Sequence, residues 1–146
     1  MEDFNLERFL KAQKYSYQTA LAEIKEGYKR SHWMWYIFPQ IKGLGRSSMS
    51  EYYGITCLDE ARAYLEDEVL GTRLREICET LLKHSDKSAM DIFGGVDSMK
   101  LKSSMTLFDA VSPNDIFSKI LDAFFGGRRD ERTKSNIKTV IIGAPL

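Results

Sequence analysis

The chain has 146 residues, which fits one domain, and a domain of this size buries enough surface to fold without disulfides or metals. Its 21 basic and 21 acidic residues cancel, so no global field attracts it to nucleic acid or to an anionic membrane. No apolar run approaches the roughly 18 residues that a membrane helix needs. The acidic N-terminus lacks the pattern of a signal peptide. We therefore expect a cytoplasmic protein without membrane contacts, and the neutral net charge counts against nucleic-acid binding, although it leaves room for a local basic patch.

The cysteines and histidines do not form a pattern typical of a metal site. Cys57 and Cys78 are not a CxxC pair, and two thiols cannot build a disulfide framework, so we expect both to be reduced and buried. His32 has no second histidine or cysteine at ligand spacing, and His84 is far along the chain. The sequence thus predicts no metal and no cofactor.

Apolar residues recur at helical spacing through most of the chain. In the first half they predict helices over Leu6–Gln13, Tyr17–Tyr28, Leu58–Leu65 and Leu70–Leu82. We expect Ser16 to cap the second of these helices and Asp67 to cap the fourth, while Thr56 and Asp59 are alternative caps of the third.

Three further helices are predicted in the second half, over Ala89–Phe93, Leu101–Phe108 and Ile116–Phe124. Their expected N-caps are, in chain order, Ser88, Asp97 and Ser112, with Pro113 at the first position of the last helix. Glycine pairs at 94–95 and 126–127 are expected to end the first and the last of the three.

Two short stretches resemble strands in composition. WMWYIF, residues 33–38, lacks clean alternation and a hairpin partner, so we interpret it as a buried helical turn. TVIIG, residues 139–143, is the other strand-like run, and it follows a stretch of mixed charge. The sequence predicts an all-α, compact, multihelical single domain of six to eight short helices over residues 1–133. Residues 134–146 are expected to form a C-terminal tail of uncertain structure.

Five stretches together resemble one known family. They are FLKAQ (Phe9–Gln13), HWMWYIFPQIKGLG (His32–Gly45), LGTRL (Leu70–Leu74), IFGGVDSMKLKSSMTLF (Ile92–Phe108) and FFGGRRD (Phe124–Asp130). This pattern resembles the domain of unknown function 1810 family, small bacterial proteins that are also called Rv1873-like. The resemblance implies a compact multihelical cytosolic domain and implies no activity. One departure is Glu68-Val69, where the family tends to have a proline before LG.

The segment from His32 to Ser48 is the first candidate site. Its tryptophans, Trp33 and Trp35, either form the centre of the core or line a pocket. The two alternatives are compatible, because neighbouring residues on a helix point in different directions. In the following loop, Lys42 and Arg46 flank two glycines, and Gln40 precedes them. This loop is either an anion site or an ordinary solvated connection.

A second candidate lies in GGVDSMKLKSSMT, residues 94–106. Lys100 and Ser104 are four apart and share a helix face, an arrangement that permits nucleophilic chemistry but more commonly reflects packing. We rank a module that binds a small anionic, nucleotide-like molecule first, a protein–protein adaptor second and an enzyme third. Nothing in the sequence identifies a protein partner. The predicted ligand-binding residues are His32, Trp33, Trp35, Gln40, Lys42, Arg46, Lys100 and Ser104.

Overall fold

The structure, a computed structural model, describes the backbone of residues 4–143 and the side chains of residues 4–137. Residues 1–3 and 144–146, at the two ends of the expected domain and tail, lie outside the described part. Within it the chain forms nine helices: α1 (Glu7–Glu26), α2 (Met34–Ile37), α3 (Ser48–Tyr53), α4 (Leu58–Glu66), α5 (Glu68–Leu82), α6 (Ala89–Phe93), α7 (Gly95–Val111), α8 (Ile116–Phe125) and α9 (Glu131–Gly143). Eight of them exceed four residues, and the all-α prediction is confirmed.

Helix α5 lies at the centre of the packing. It contacts α1, α4 and α8, while α7 packs against α4, α6, α8 and α9. The apolar stripe that predicted α5 is buried along its length, and the side chains of Leu70, Leu74 and Ile77 are at most 1% exposed. Burial of such stripes on every long helix, at roughly 25 cal/mol per Å² of apolar surface, is the main force that holds the helices together.

Helix α1 corrects the first prediction, because it is one continuous helix of 20 residues rather than two. Ser16 lies inside it instead of capping a second helix, and its hydroxyl accepts a hydrogen bond from the Tyr36 hydroxyl at 3.0 Å. No glycine or proline interrupts the stretch, and Gln13 and Tyr17 continue the buried face across the predicted break. The helix ends at Gly27 in the left-handed conformation, with φ of 80°.

The helix caps divide into those that the sequence predicted and those that it missed. Asp67 caps α5 by accepting from the amides of Val69 and Leu70, and Ser88 caps α6. At α4, neither predicted residue caps the helix, because Cys57 occupies the N-cap position.

The predicted caps of α7 and α8 were wrong. Asp97 lies in the first turn of α7, and Gly94 takes the cap position. Asp115 caps α8 in place of Ser112, whose hydroxyl instead donates to the Asp115 carboxylate at 2.7 Å. Cap-type residues stand at neighbouring positions in both segments, and residue type alone does not decide which of them begins the helix.

The aromatic stretch forms the single turn α2, as predicted, and then enters a loop that holds α3 beside it. Ile41 and Ile55 form an isolated parallel bridge, in which the amide of Lys42 donates to the Ile55 carbonyl at 2.8 Å. Helix α3 was not predicted, because none of its residues is buried and so it has no apolar stripe. Ser47 caps it by accepting from the amide of Ser50.

Helix α9 covers the strand-like run, so residues 139–143 are helical rather than extended. Its first turn is fixed by Asp130, whose carboxylate accepts from the amide of Thr133 at 2.9 Å and from the Thr133 hydroxyl at 2.6 Å. Thr133 and Ile137 are buried. None of the helices in the described residues has both the length and the apolarity needed to cross a membrane. Both cysteines are free, but only Cys78 is buried, since Cys57 is partly exposed.

Candidate functional site

The two tryptophans of the aromatic stretch have different surroundings. Trp33 is 1% exposed, packs against Phe38 and Phe93, and donates its indole N–H to Glu23 at 3.0 Å. Trp35 is only partly buried and lines a surface cleft. Of the two alternatives left open by the sequence, Trp33 takes the core position and Trp35 takes the pocket position. Trp33 therefore does not belong to a ligand-binding surface.

The cleft beside Trp35, here called the first cleft, has a volume of about 410 Å³. One wall is the segment 29–35, which includes the start of α2. The other wall is the beginning of α7. Ten residues line it: Lys29, His32, Met34, Trp35, Phe93, Gly94, Gly95, Val96, Asp97 and Lys100. The structure thus brings together His32, Trp35 and Lys100, three of the predicted site residues, although Lys100 is 65 or more positions away from the others in the sequence.

Positive charge exceeds negative charge in the first cleft. Asp97 pairs with both lysines: its carboxylate lies 2.8 Å from the Lys29 ammonium and 3.4 Å from the Lys100 ammonium. Two lysines and one aspartate leave a net charge of 2 − 1 = +1 with His32 neutral. The Lys100 ammonium also lies 4.5 Å from the centre of the Trp35 ring, which holds it by a cation–π contact. The cation is therefore positioned but is not neutralised by a carboxylate of its own.

The start of α7 adds backbone donors to the same cleft. Gly94 adopts φ of 80° and ψ of 172°, a conformation that only glycine takes without strain, and the chain turns there directly into the helix. No side chain caps this end. The first-turn amides of a helix have no intrahelical acceptor, and the helix dipole is positive at this end. The 17-residue helix α7 therefore presents N–H groups and partial positive charge beside Lys29 and Lys100.

Glu23 fixes the segment that carries the other wall. Its carboxylate accepts from the amides of Arg30 and Ser31, from the Ser31 hydroxyl and from the Trp33 indole, at 2.6–3.0 Å. Burial raises the pKa of Glu23, but these hydrogen bonds outweigh it and lower the pKa to about 2. Glu23 is thus ionised across the physiological range, and it holds Lys29 and His32 at the cleft by ordering the residues between them.

A second cleft of about 360 Å³ adjoins the first and shares Val96 and Lys100 with it. Its lining residues are Gln40, Leu44, Gly45, Ser50, Val96, Met99, Lys100, Ser103, Asp130 and Arg132. The start of α9 closes one side, because Arg132 donates to the Leu44 carbonyl at 3.0 Å. Gln40, another predicted site residue, therefore lies in the second cleft together with Lys100.

The remaining predicted residues lie elsewhere. The ammonium of Lys42 is 3.9 Å from the Glu51 carboxylate, and Arg46 is exposed; neither residue lines the first or the second cleft. The loop turns these cations outward because the bridge at Ile41 and the cap at Ser47 fix its two ends. Ser104 is 0% exposed, and its hydroxyl has no hydrogen-bond partner within the described residues. A buried serine of this kind cannot reach a substrate, so Lys100 and Ser104 do not form an accessible nucleophilic pair.

Several residues of the clefts were missed by sequence reasoning. Lys29 belongs to a charged run that is typical of a solvated helix end, and Asp97 was interpreted as a cap. Arg132 belongs to the mixed-charge stretch, and Ser103 is a helical serine with no distinctive spacing. The glycine pair before α7 was the one available signal, since it marks a backbone turn at a helix start. Within the residues that the structure describes, no group of three or more histidine, cysteine, aspartate or glutamate side chains could hold a metal ion.

Fold and cleft together define the class of protein: a small all-α domain with a cationic surface cleft. The chain belongs to the family described as protein of unknown function (DUF1810), whose family model matches residues 3–137. It is also similar to a solved structure, the conserved hypothetical protein Rv1873 from Mycobacterium tuberculosis. The two are 41% identical with a TM-score of 0.91, over 94% of this chain and 99% of that chain. No curated protein matches the chain. The family resemblance seen in the sequence is confirmed.

Proposed function

We propose that this protein binds a small anionic molecule, a phosphate ester or a related dianion, in the first cleft. The observation that carries the proposal is the position of the Lys100 ammonium, 4.5 Å over the Trp35 ring and opposite Lys29, with Asp97 shared between the two lysines. An ammonium group has three donors, and one shared carboxylate leaves donors of Lys100 available to a ligand.

The shape and chemistry of the cleft support the same proposal. A volume of about 410 Å³ falls within the roughly 300–1,000 Å³ that is usual for small-molecule sites. The uncapped start of α7 supplies amide donors, and the exposed ring of His32 supplies a further nitrogen at the rim. A phosphate group bears two charges near neutral pH and accepts several hydrogen bonds, which matches this set of donors.

The test is calorimetric titration of the whole protein with inorganic phosphate and with ribose 5-phosphate. Lys100→Met keeps the aliphatic stem but removes the charge, and a charge-assisted hydrogen bond is worth about 1.5–3 kcal/mol, so affinity should fall about tenfold or more. Lys119→Met is the matched control, because Lys119 is exposed on α8 and lines neither cleft.

Asp97→Asn should change the phosphate affinity in the opposite direction to Lys100→Met, which makes the test more specific. It raises the net charge of the cleft from +1 to +2, so phosphate should bind more tightly, while the protein loses some stability because Lys29 is 6% exposed and loses its partner. The proposal would be contradicted if the protein bound neither phosphate nor ribose 5-phosphate. It would also be contradicted if the Lys100, Asp97 and control variants bound these ligands with equal affinity.

A further inference from the structure

We infer that the second cleft is the other half of the same site and receives a planar, hydrogen-bonding ring, so that the ligand class is a nucleoside phosphate. This inference rests on the proposed function, since it assumes that the first cleft holds the phosphate. It adds what the first cleft alone does not specify, namely the chemistry of the rest of the ligand.

The two clefts form one continuous surface. Val96 and Lys100 line both of them. A narrow recess shares Trp35 with the first cleft and Gln40, Leu44 and Gly45 with the second, so the walls of the two clefts are continuous there as well. An elongated ligand whose anionic end lies beside Lys29 can therefore pass Lys100 and reach Gln40.

The second cleft contains polar groups that can hydrogen-bond a ligand. Ser103 is 6% exposed and lines the cleft, and partly buried Gln40 lines it as well. Hydroxyl and amide each both donate and accept, as the edge of a nucleobase requires.

An apolar wall faces these groups. Val96 is 73% exposed and Met99 is 52% exposed, and both lie on α7 beside partly buried Leu44. A flat ring can cover these side chains with one face while its edge reaches Gln40 and Ser103. The thioether of methionine makes favourable contacts with aromatic rings. This combination of an apolar face with donors and acceptors at the edge is the chemistry of a heteroaromatic base.

The unbalanced charge of the two clefts lies at Lys100, which lines both of them. Apart from Lys100, the charged lining residues are Lys29 and Asp97 in the first cleft and Asp130 and Arg132 in the second, and the charges sum to −1 + 1 = 0 in each. A ligand with one anionic group beside Lys100 and an uncharged ring therefore matches the charges of the combined surface.

The experiment compares ribose 5-phosphate with the four ribonucleoside monophosphates by calorimetric titration of the whole protein. At least one nucleotide should bind about tenfold more tightly than ribose 5-phosphate, since two additional hydrogen bonds of about 0.5–1.5 kcal/mol each give an advantage of this order. The double variant Gln40→Met with Ser103→Ala keeps the side-chain volumes. It should remove the advantage and leave ribose 5-phosphate affinity unchanged. Gln18→Met, at an exposed position on α1, is the control.

The outcomes separate this inference from the function on which it rests. If ribose 5-phosphate binds and no nucleotide binds more tightly, the inference is overturned and the anion site stands. If a nucleotide binds more tightly but the double variant retains the advantage, the second cleft is not the base site, and the inference is overturned as well. If neither ribose 5-phosphate nor any nucleotide binds, both proposals fail.

Discussion

Glu23→Gln tests how the wall of the first cleft is held, and its effect should depend on pH in a defined way. The carboxylate accepts four hydrogen bonds from residues 30–33. Its pKa is lowered from 4.5 to about 2, and at about 1.36 kcal/mol per pKa unit this shift corresponds to about 3 kcal/mol of stability when the group is ionised in both states. The side chain is 6% exposed, so solvent screening reduces this value only modestly.

The direction of the pKa shift determines how this stabilisation depends on pH. A lowered pKa in the folded state means that the stabilisation is complete above the unfolded pKa of 4.5 and is lost as the pH falls toward 2. Glutamine resembles protonated glutamate in charge, so the variant lacks this contribution at every pH. The variant should therefore be about 3 kcal/mol less stable than wild type at pH 7 and only about 1 kcal/mol less stable at pH 3.

The assay is urea unfolding of wild type and Glu23→Gln at several pH values from 7 to 3, followed by near-ultraviolet circular dichroism. Glu26→Gln is the control, because Glu26 is an exposed neighbour on α1 whose ion pair with Arg30 contributes little at the surface. The reasoning would be refuted if the stability difference between wild type and Glu23→Gln were the same at pH 7 and pH 3, or if the control showed the same change with pH.

Two further predictions concern the packing of the helices away from the clefts. Arg8→Ala should destabilise the protein by about 3–5 kcal/mol in urea unfolding, because it leaves buried Glu60 without its 2.9 Å ion pair; unchanged stability would contradict the assignment of a buried pair. Gly71→Ala should cost about 1–3 kcal/mol or more in the same assay, since its Cβ would lie 2.0 Å from the Leu65 carbonyl oxygen. Gly95→Ala is its control, because the Cβ there meets nothing closer than 3.7 Å.

The parts of the fold that the sequence predicted well are those decided by local pattern. The stripe of α5, its Asp67 cap and the short helix α6 after Ser88 depend on residues within a few positions of each other, and all three are present. The errors fall where several local solutions compete. Ser16 and Ser112 are good caps by residue type, but contacts with Tyr36 and Asp115 occupy their hydroxyls. The Ser16–Tyr36 contact spans 20 positions and is not visible as a sequence pattern, whereas Ser112 and Asp115 are only three positions apart.

The candidate site was harder to predict from the sequence than the helices were. His32, Trp35, Gln40 and Lys100 were identified because their residue types are unusual in their segments. Lys42 and Arg46 were identified by the same reasoning, but the loop directs them away from both clefts. Lys29, Ser103 and Arg132 were missed, because a lysine in a charged run and a serine in a helix have no distinctive spacing. Only the packing of α7 and α9 against the segment 29–45 makes them part of the clefts.

Measurement of backbone and indole chemical shifts during a titration with ribose 5-phosphate tests the central claim most directly. The two tryptophans give two indole N–H signals: Trp35 lies at the cleft, and Trp33 is bound to Glu23 in the core. We predict large shifts for the Trp35 indole and for the amides of residues 94–97, with little change for the Trp33 indole and for residues 42–46. Shifts concentrated at Lys42 and Arg46, or equal shifts for both indoles, would contradict the account.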